Sequence, residues 1–278
     1  MYYQVKKIVV LILLHTFLLS VALSCITPLF WMLNASFKTD TEFRNDLGLK
    51  LATNPTLENY KTALTEGKLG FYFINSVFYT FITVLLIVVI SSLAAYGFSR
   101  LQFPGKNIIF FMFLAAMMIP LPAGFVPVYI LLNKLHLVNK TGYVLAMTNI
   151  GLSFSIYLLK TFFDQLPRDL EDAARIDGCN KLRIWWSVGL PLVSPALAVV
   201  IIFNSLNVWN EFVLASLMFT EDSLMPLQVG LMEFYNRNII QHTLLMASLT
   251  IAAVPIILLY LVMQRQIIKG ITAGAMVG

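Results

Sequence analysis

Charge is what this sequence has least of. Only 12% of its 278 residues are Asp, Glu, Lys or Arg while 59% are hydrophobic, where a soluble domain carries about 25% charged and 45–50% apolar residues. That balance excludes an ordinary water-soluble globule and assigns the membrane class. Cysteine is nearly absent too. Cys25 lies in the first apolar run and Cys179 in a charged segment far along the chain, so a disulfide framework is not expected, and no spacing suits a metal. No Gly-x4-Gly-Lys-Ser/Thr occurs, so the chain has no P-loop of its own for ATP. Nor is there a His-Glu-x-x-His, a Ser/His/Asp set or a pair of intramembrane aspartates, which leaves a membrane-embedded enzyme without support. His15 and His136 stand alone and receive no role.

What the sequence has is long apolar runs. The first extends from Ile8 to about Leu33, beyond the ~7–15 residues of a signal-peptide core, and is read as a retained span. Five more follow: Phe71 to Phe98, Ile108 to Leu132, Gly142 to Phe163, Trp185 to Phe219 and Leu244 to Met263. Each approaches or exceeds the ~20 residues that cross a bilayer as a helix, and in lipid such runs are helices rather than open strands. The expectation is an all-α membrane protein of six transmembrane helices with both termini on one side.

The net charge of +5 and pI near 9.1 do not indicate nucleic acid, because the basic residues are scattered between apolar segments rather than gathered in a patch. Anionic lipid headgroups are the better match. With the termini inside, eleven Lys and Arg fall on the inner side and eight on the outer, at higher density in the shorter inner loops. The positive-inside rule therefore makes the termini cytoplasmic, with Arg100 an anchor at the inner boundary. The organisation expected is a first helix and outer segment over 1–70, a five-helix core over 71–263, and a cytoplasmic tail over 264–278. The polar stretch Asn34 to Gly70 is expected to pack on the outer face. The outer loop Thr220 to His242, with spaced Leu227, Leu231 and Phe234, is expected to hold a short interfacial helix.

One inner segment breaks the apolar pattern: "LPRDLEDAARIDGCNKLR", Leu166 to Arg183. Each of its charges would cost ~3 kcal/mol at a bilayer centre. Pro167 suits a first helical position, and Asp169, Glu171 and Asp172 face the positive end of the helix dipole. Gly178 is placed to close that helix, and Asn180 to cap a second one beginning at Lys181. Leu170, Ala173, Ala174 and Asp177 share one helical face. Its two alanines permit close approach by a protein, whereas a membrane-surface helix favours bulky residues; a solvated loop with good caps is the plain alternative.

Within the spans, Pro191 and Pro195 predict a kink near the inner end of the fifth. Farther along, Asn204 and Asn207 share a face, with Trp209 and Asn210 nearby, and Asn149 and Ser153 face together in the fourth span. Amides and an aromatic face suit a neutral sugar; bonding between helices is the competing role. Glu211 is read as structural, near the outer boundary. Met117, Met118, Pro120 and Pro122 mark a broken region of the third span, read either as adaptable packing or as a discontinuous gate helix.

The segment "LEDAARIDG" resembles the cytoplasmic signature of ABC-importer permeases, a Glu-Ala-Ala followed by an obligatory Gly. "NSVFYTFITVLLIVVISSLAAYGFSRLQFPGKN", "MMIPLPAGFVPVYILLNKL", "WNEF" and "QRQIIKGITAGAMVG" extend the resemblance over nearly the whole chain, to the maltose-type carbohydrate permeases. It implies the type-1 ABC importer permease architecture, with coupling helices at about 166–183. Leu170, Glu171, Asp172, Ala173, Ala174, Asp177 and Gly178 would couple to an ATPase. Asp172 stands where the motif has Glu, and Cys179 where Ala is usual. Asn149, Ser153, Asn204, Asn207, Trp209 and Asn210 would line the substrate pathway, and Phe234, Tyr235 and Asn236 would meet the binding protein. The partners implied are a second, non-identical permease, two cytoplasmic ATPase subunits that use ATP and Mg, an extracytoplasmic sugar-binding protein and membrane lipid. This chain would bind no cofactor and catalyse nothing, as a multi-pass protein of the bacterial inner membrane. A self-sufficient secondary transporter is the alternative, and the spans lack the buried acidic pairs that ion coupling uses.

Overall fold

The computed structural model describes residues 2–237 and 241–275, with side chains described over 6–120, 123–232 and 241–266. Every regular element among them is helical. Two compact units are formed, Met1–Gly70 with Leu231–Val254, and Phe71–Gly230 with Pro255–Gly278.

In the first unit, α1 (Tyr2–Ser36) is apolar on every side, as suits a helix surrounded by hydrocarbon. Its few hydroxyls turn back onto its own carbonyls: Ser20 to Thr16 at 2.9 Å, Ser24 to Val21 at 2.8 Å and Thr27 to Leu23 at 2.7 Å. After α1 the polar segment folds into α2 (Asp40–Asp46) and α3 (Glu58–Thr65). Thr39 caps α2 through its hydroxyl, which accepts from the Glu42 amide. Asn59 clasps the chain where α1 ends, donating to the carbonyls of Ser36 (2.8 Å) and Lys38 (2.7 Å). Asn34 does the same for the loop beyond α2, donating to Lys50 O and accepting from Ala52 N. Lys38 is fully buried, its Nζ bonded to Asp46 Oδ2 at 2.6 Å. The segment thus packs as a cap of its own, and it is built on a buried cation.

The second unit begins on α4 (Leu69–Arg100), whose Ser91, Ser92 and Ala95 are buried; small residues let helices approach closely. Next come α5 (Lys106–Met117), α6 (Leu121–Lys134) and α7 (Lys140–Gln165), the last capped by Asn139. The third apolar run, expected as one span, is divided here. At ~1.5 Å per residue, α5 and α6 are roughly 18 and 21 Å long, each short of the ~30 Å hydrocarbon core. Pro120 is the cause: it cannot donate a backbone bond, and it biases Ile119 away from helical geometry. Pro122 then starts α6 in the first turn, where its missing N–H costs nothing. Among the described residues, four helices are long and apolar enough to cross: Lys6–Ser36, Leu69–Arg100, Lys140–Gln165 and His242–Gln266. A fifth is counted if a bent pair is taken as one. Length and composition admit four or five spans where hydropathy reads six, because the third run is divided and the fifth is bent.

That bent pair is the fifth apolar run. After α8 (Asp169–Ile176) and α9 (Lys181–Ile184) the chain passes through a π-helical turn, Trp185–Gly189, and the short α10 (Leu190–Leu192). It then turns 80° into α11 (Ser194–Trp209). The break expected from Pro191 and Pro195 falls between them at Val193, which is fully buried. After α11 come α12 (Val213–Met218) and α13 (Leu227–Arg237), the short helix expected in that loop, and then α14 (His242–Ala275).

The bond from Lys38 holds the Asp46 carboxyl below the usual carboxylate range, and bonds from Thr53 do the same for Glu42. A depressed carboxylate stabilises above its unfolded value and loses that contribution as pH falls through the lower, folded one. This cap is therefore expected to hold at neutral pH and to loosen below about pH 4. Asp46→Asn should loosen it at pH 7 as well, because the buried Lys38 ammonium is left unpaired. Faster limited proteolysis between Asp40 and Leu57 is the readout for both.

Candidate functional site

The charged inner segment folds as its capping residues dictate. Asp169, Glu171 and Asp172 occupy the first turn of α8, and Pro167 lies two residues ahead of it. At the other end Cys179 N bonds to Ala174 O and Gly178 N to Arg175 O, both at 3.0 Å, the paired closure that requires a left-handed residue between helix and turn. Gly178 supplies it with φ of +80°. Asn180 then accepts from Arg183 N at 2.9 Å and starts α9.

The face grouping expected for α8 is corrected at one position. Ala174 points inward and joins the buried cluster of Tyr96, Leu159, Phe163, Ile184 and Trp185. Leu170, Asp172, Ala173, Asp177 and Gly178 are exposed. Glu171 also points inward. Its Oε1 accepts from Arg100 Nε at 2.5 Å and its Oε2 from the Tyr96 hydroxyl at 3.2 Å. The same guanidinium donates from Nη2 to Leu166 O at 2.8 Å, and the Arg100 and Glu171 side chains retain only 6% and 9% of their exposure. Arg100 is thus more than a boundary anchor: it fixes α8 beneath α4. Ser99 ties α4 to α7 through Asp164 at 2.6 Å, and Lys160 pairs with the same carboxylate at 2.6 Å. Ile176, which the face pattern did not single out, is 87% exposed. A bare isoleucine beside Ala173 makes the outer side of α8 a small apolar knob ringed by charge. Its i+3 offset from Ala173 was the available signal.

Asn149, Ser153, Asn204 and Asn207 come together on a cavity of about 730 Å³ bounded by α5, α6, α7 and α11. That is the size of a small-molecule site. The rest of its wall is apolar and aromatic, with Phe154 and Phe203 at 4.6 Å between ring centroids. Asn204 lines the cavity while its amide donates to Ser155 Oγ (3.0 Å) and Val200 O (2.8 Å). Asn149 and Asn207 are exposed to the space. Trp209 and Asn210 are not part of this wall. Trp209 is buried with its ring edge-on to Phe73 at 5.6 Å, and Asn210 bonds Leu206 O and Gln228.

Toward the outer end, Glu211 is structural as expected. Its carboxylate accepts from Leu214 N (2.6 Å), Ala215 N (3.0 Å) and the Tyr143 hydroxyl (3.0 Å), capping α12. Sequence reasoning missed the residues of α4 that hold the following turn. Asn75 donates to Ser223 O and Met225 O, Tyr79 to Leu224 O, and Ser76 accepts from Leu227 N at 2.7 Å. Polar residues at the very start of an apolar run were their only trace. The side chains of Phe234, Tyr235 and Asn236 lie outside the described residues.

Residues 87–273 match the family described as "Binding-protein-dependent transport system inner membrane component". The chain belongs to that family. It is similar to a putative ABC transporter permease protein of Caldicellulosiruptor sp. (strain Rt8B.4), 38% identical over 90% of this chain and 91% of that one. A diacetylchitobiose uptake system permease protein of Streptomyces coelicolor is 32% identical over 94% and 87% of the respective chains. Among solved structures, a chain of a bacterial ABC transporter involved in the import of the acidic polysaccharide alginate superposes with a TM-score of 0.80 at 24% identity, covering 94% of this chain and 96% of that one. The fold is that of an ABC importer permease. The protein is a multi-pass, non-catalytic inner-membrane subunit of a binding-protein-dependent ABC importer, and its partners include a binding protein and an ATPase.

One glycine sets the width of the cavity wall in the permease. A Cβ on Gly151 would run into Asn204 Oδ1 and Ile87 Cδ1. Gly151→Ala should therefore overpack α7 against α4 and α11, destabilising the protein by about 1–3 kcal/mol. Gly97→Ala, whose Cβ meets nothing within 4 Å, should leave thermal stability in detergent unchanged or slightly raised, as helix propensity favours alanine, and serves as the control.

Proposed function

We propose that the permease carries an oligosaccharide through the membrane, and that the cavity between α5, α6, α7 and α11 is this subunit's share of the route. The observation behind this reading is the pairing of Asn149, Ser153 and Asn207 with the Phe154 and Phe203 rings on one wall. Amides and a hydroxyl match sugar hydroxyls, and aromatic rings match the apolar face of a pyranose. Relatives named for diacetylchitobiose, starch degradation products and arabinooligosaccharides support the same substrate class.

In this reading the chain crosses the membrane six times with both termini cytoplasmic, α5 and α6 together making the third crossing. The exposed side of α8 docks in a groove of a cytoplasmic ATPase through Leu170, Asp172, Ala173, Asp177 and Ile176. The outer loop from Thr220 to His242 meets the binding protein. A second, non-identical permease completes the route, because one chain offers one docking helix while the complex holds two ATPase subunits using ATP and Mg.

Two measurements test this. A panel of labelled oligosaccharides should show uptake that disappears with the gene and returns with it. Uptake of an amino acid or a metal in its place would refute the substrate class. The docking role is tested by Ala173→Trp. Because Ala173 is exposed, tryptophan there leaves the protein's own core intact, so membrane levels should stay normal while ATPase co-purification and uptake are lost. Wild-type ATPase binding in that variant would sink the docking role.

A further inference from the structure

We propose that Arg100 is a positioning residue for energy coupling, a strut that makes α8 move as one body with α4. The inference rests on the docking role given above to α8, and goes beyond it by naming the path on which force enters the membrane helices.

Between Ile176 and Lys181 the chain runs through the Gly178 turn into α9, so toward its C-terminal side α8 is held by a bend with the backbone freedom of glycine. On the N-terminal side Leu166, Pro167 and Arg168 separate it from α7. Neither covalent connection is a continuous helix. The stiff connection is lateral. The Arg100 fork grips the Glu171 carboxylate on α8 and the Leu166 carbonyl at the end of α7, while Tyr96 holds the second carboxylate oxygen. A planar guanidinium bonded at two points fixes orientation as well as distance. Burial of both partners strengthens the hold, since a displaced Glu171 or Arg100 would be a bare charge in a low-dielectric site. Arg100 is also the last residue of α4, a helix whose Ile87 lies beside Gly151 of the cavity-lining α7. A push on the exposed face of α8 therefore reaches α4, the helix behind the cavity-lining α7, through the Arg100 fork and the Tyr96 hydroxyl.

The test uses the full complex in lipid nanodiscs and proteoliposomes: this chain, its partner permease, the ATPase subunits and the binding protein loaded with sugar. Three quantities are read, namely ATPase co-purification, stimulation of hydrolysis by loaded binding protein, and sugar transported per ATP consumed. Arg100→Gln should leave co-purification normal while stimulation and the transport-to-ATP ratio fall about tenfold, within the ~5–150-fold range of coupling between sites. Arg100→Lys, which keeps the charge but not the two-point fork, should fall between Arg100→Gln and the wild type. A role limited to stability would lower the yield of complex and leave the ratio per complex unchanged, and that result overturns the proposal. If Arg100→Gln does not accumulate, Arg100→Lys decides: a reduced ratio upholds the strut and a wild-type ratio removes it. Co-purification and ratio separate the two ideas. Loss of ATPase binding in Ala173→Trp with an unchanged ratio in Arg100→Gln would keep the docking helix and discard the strut.

Discussion

A peptide group in hydrocarbon has no water to bond, and that single constraint decides where this chain can and cannot depart from a helix. Along α1 the hydroxyls of Ser20, Ser24 and Thr27 turn onto carbonyls of their own helix, so these groups need no partner from outside. Two of the departures inside apolar runs show the shelter they need. The break around Pro120 borders the cavity, with Met117, Ile119 and Pro120 in its wall, where freed backbone groups can meet solvent. The turn at Val193 is fully buried in protein.

Charge follows the same economy. Wherever a charged group goes under cover, the structure surrounds it with partners of fixed geometry. Lys38 meets Asp46, Glu211 meets two amides and a phenol, and Glu171 meets a guanidinium and a phenol. The exposed charges of α8, by contrast, bond only along their own helix, as Arg175 does to Asp172 at 2.8 Å. Those pairs are weak and solvent-screened, so they leave the outer face of α8 free to exchange partners while the inner face cannot.

Local signals in the sequence were legible because they act within a few residues. Prolines at 191 and 195 bracket the sharp turn, Asn180 caps α9, and Gly178 has the left-handed backbone its position after a helix demands. The apolar runs located every long helix. Hydropathy alone reads Ile108 to Leu132 as one run, because it sums greasiness and is blind to the missing N–H of Pro120; the prolines at 120 and 122 marked the break. The placement of Ala174 and Glu171 was not legible either. Helical periodicity says which residues share a face, not which face meets the protein, and that was settled by Arg100, 71 residues earlier in the chain. The cavity was legible in part. Asn149, Ser153, Asn204 and Asn207 announced themselves as amides and a hydroxyl in apolar runs, but the Phe154 and Phe203 rings beside them look like any other core aromatics until α7 and α11 are packed together.

The 80° angle at Val193 gives the inner end of the molecule a crank. Lys181–Leu192 is the short throw and Ser194–Trp209 the shaft. Twelve residues at ~1.5 Å each make a throw of roughly 18 Å, so a swing of about 10° displaces its far end by about 3 Å. That distance is close to the length of a hydrogen bond. A shaft whose own backbone bonds remain intact can therefore answer a contact-sized displacement at the Gly178 turn by rotating rather than bending, and rotation is the motion that turns one wall of a cavity away from another.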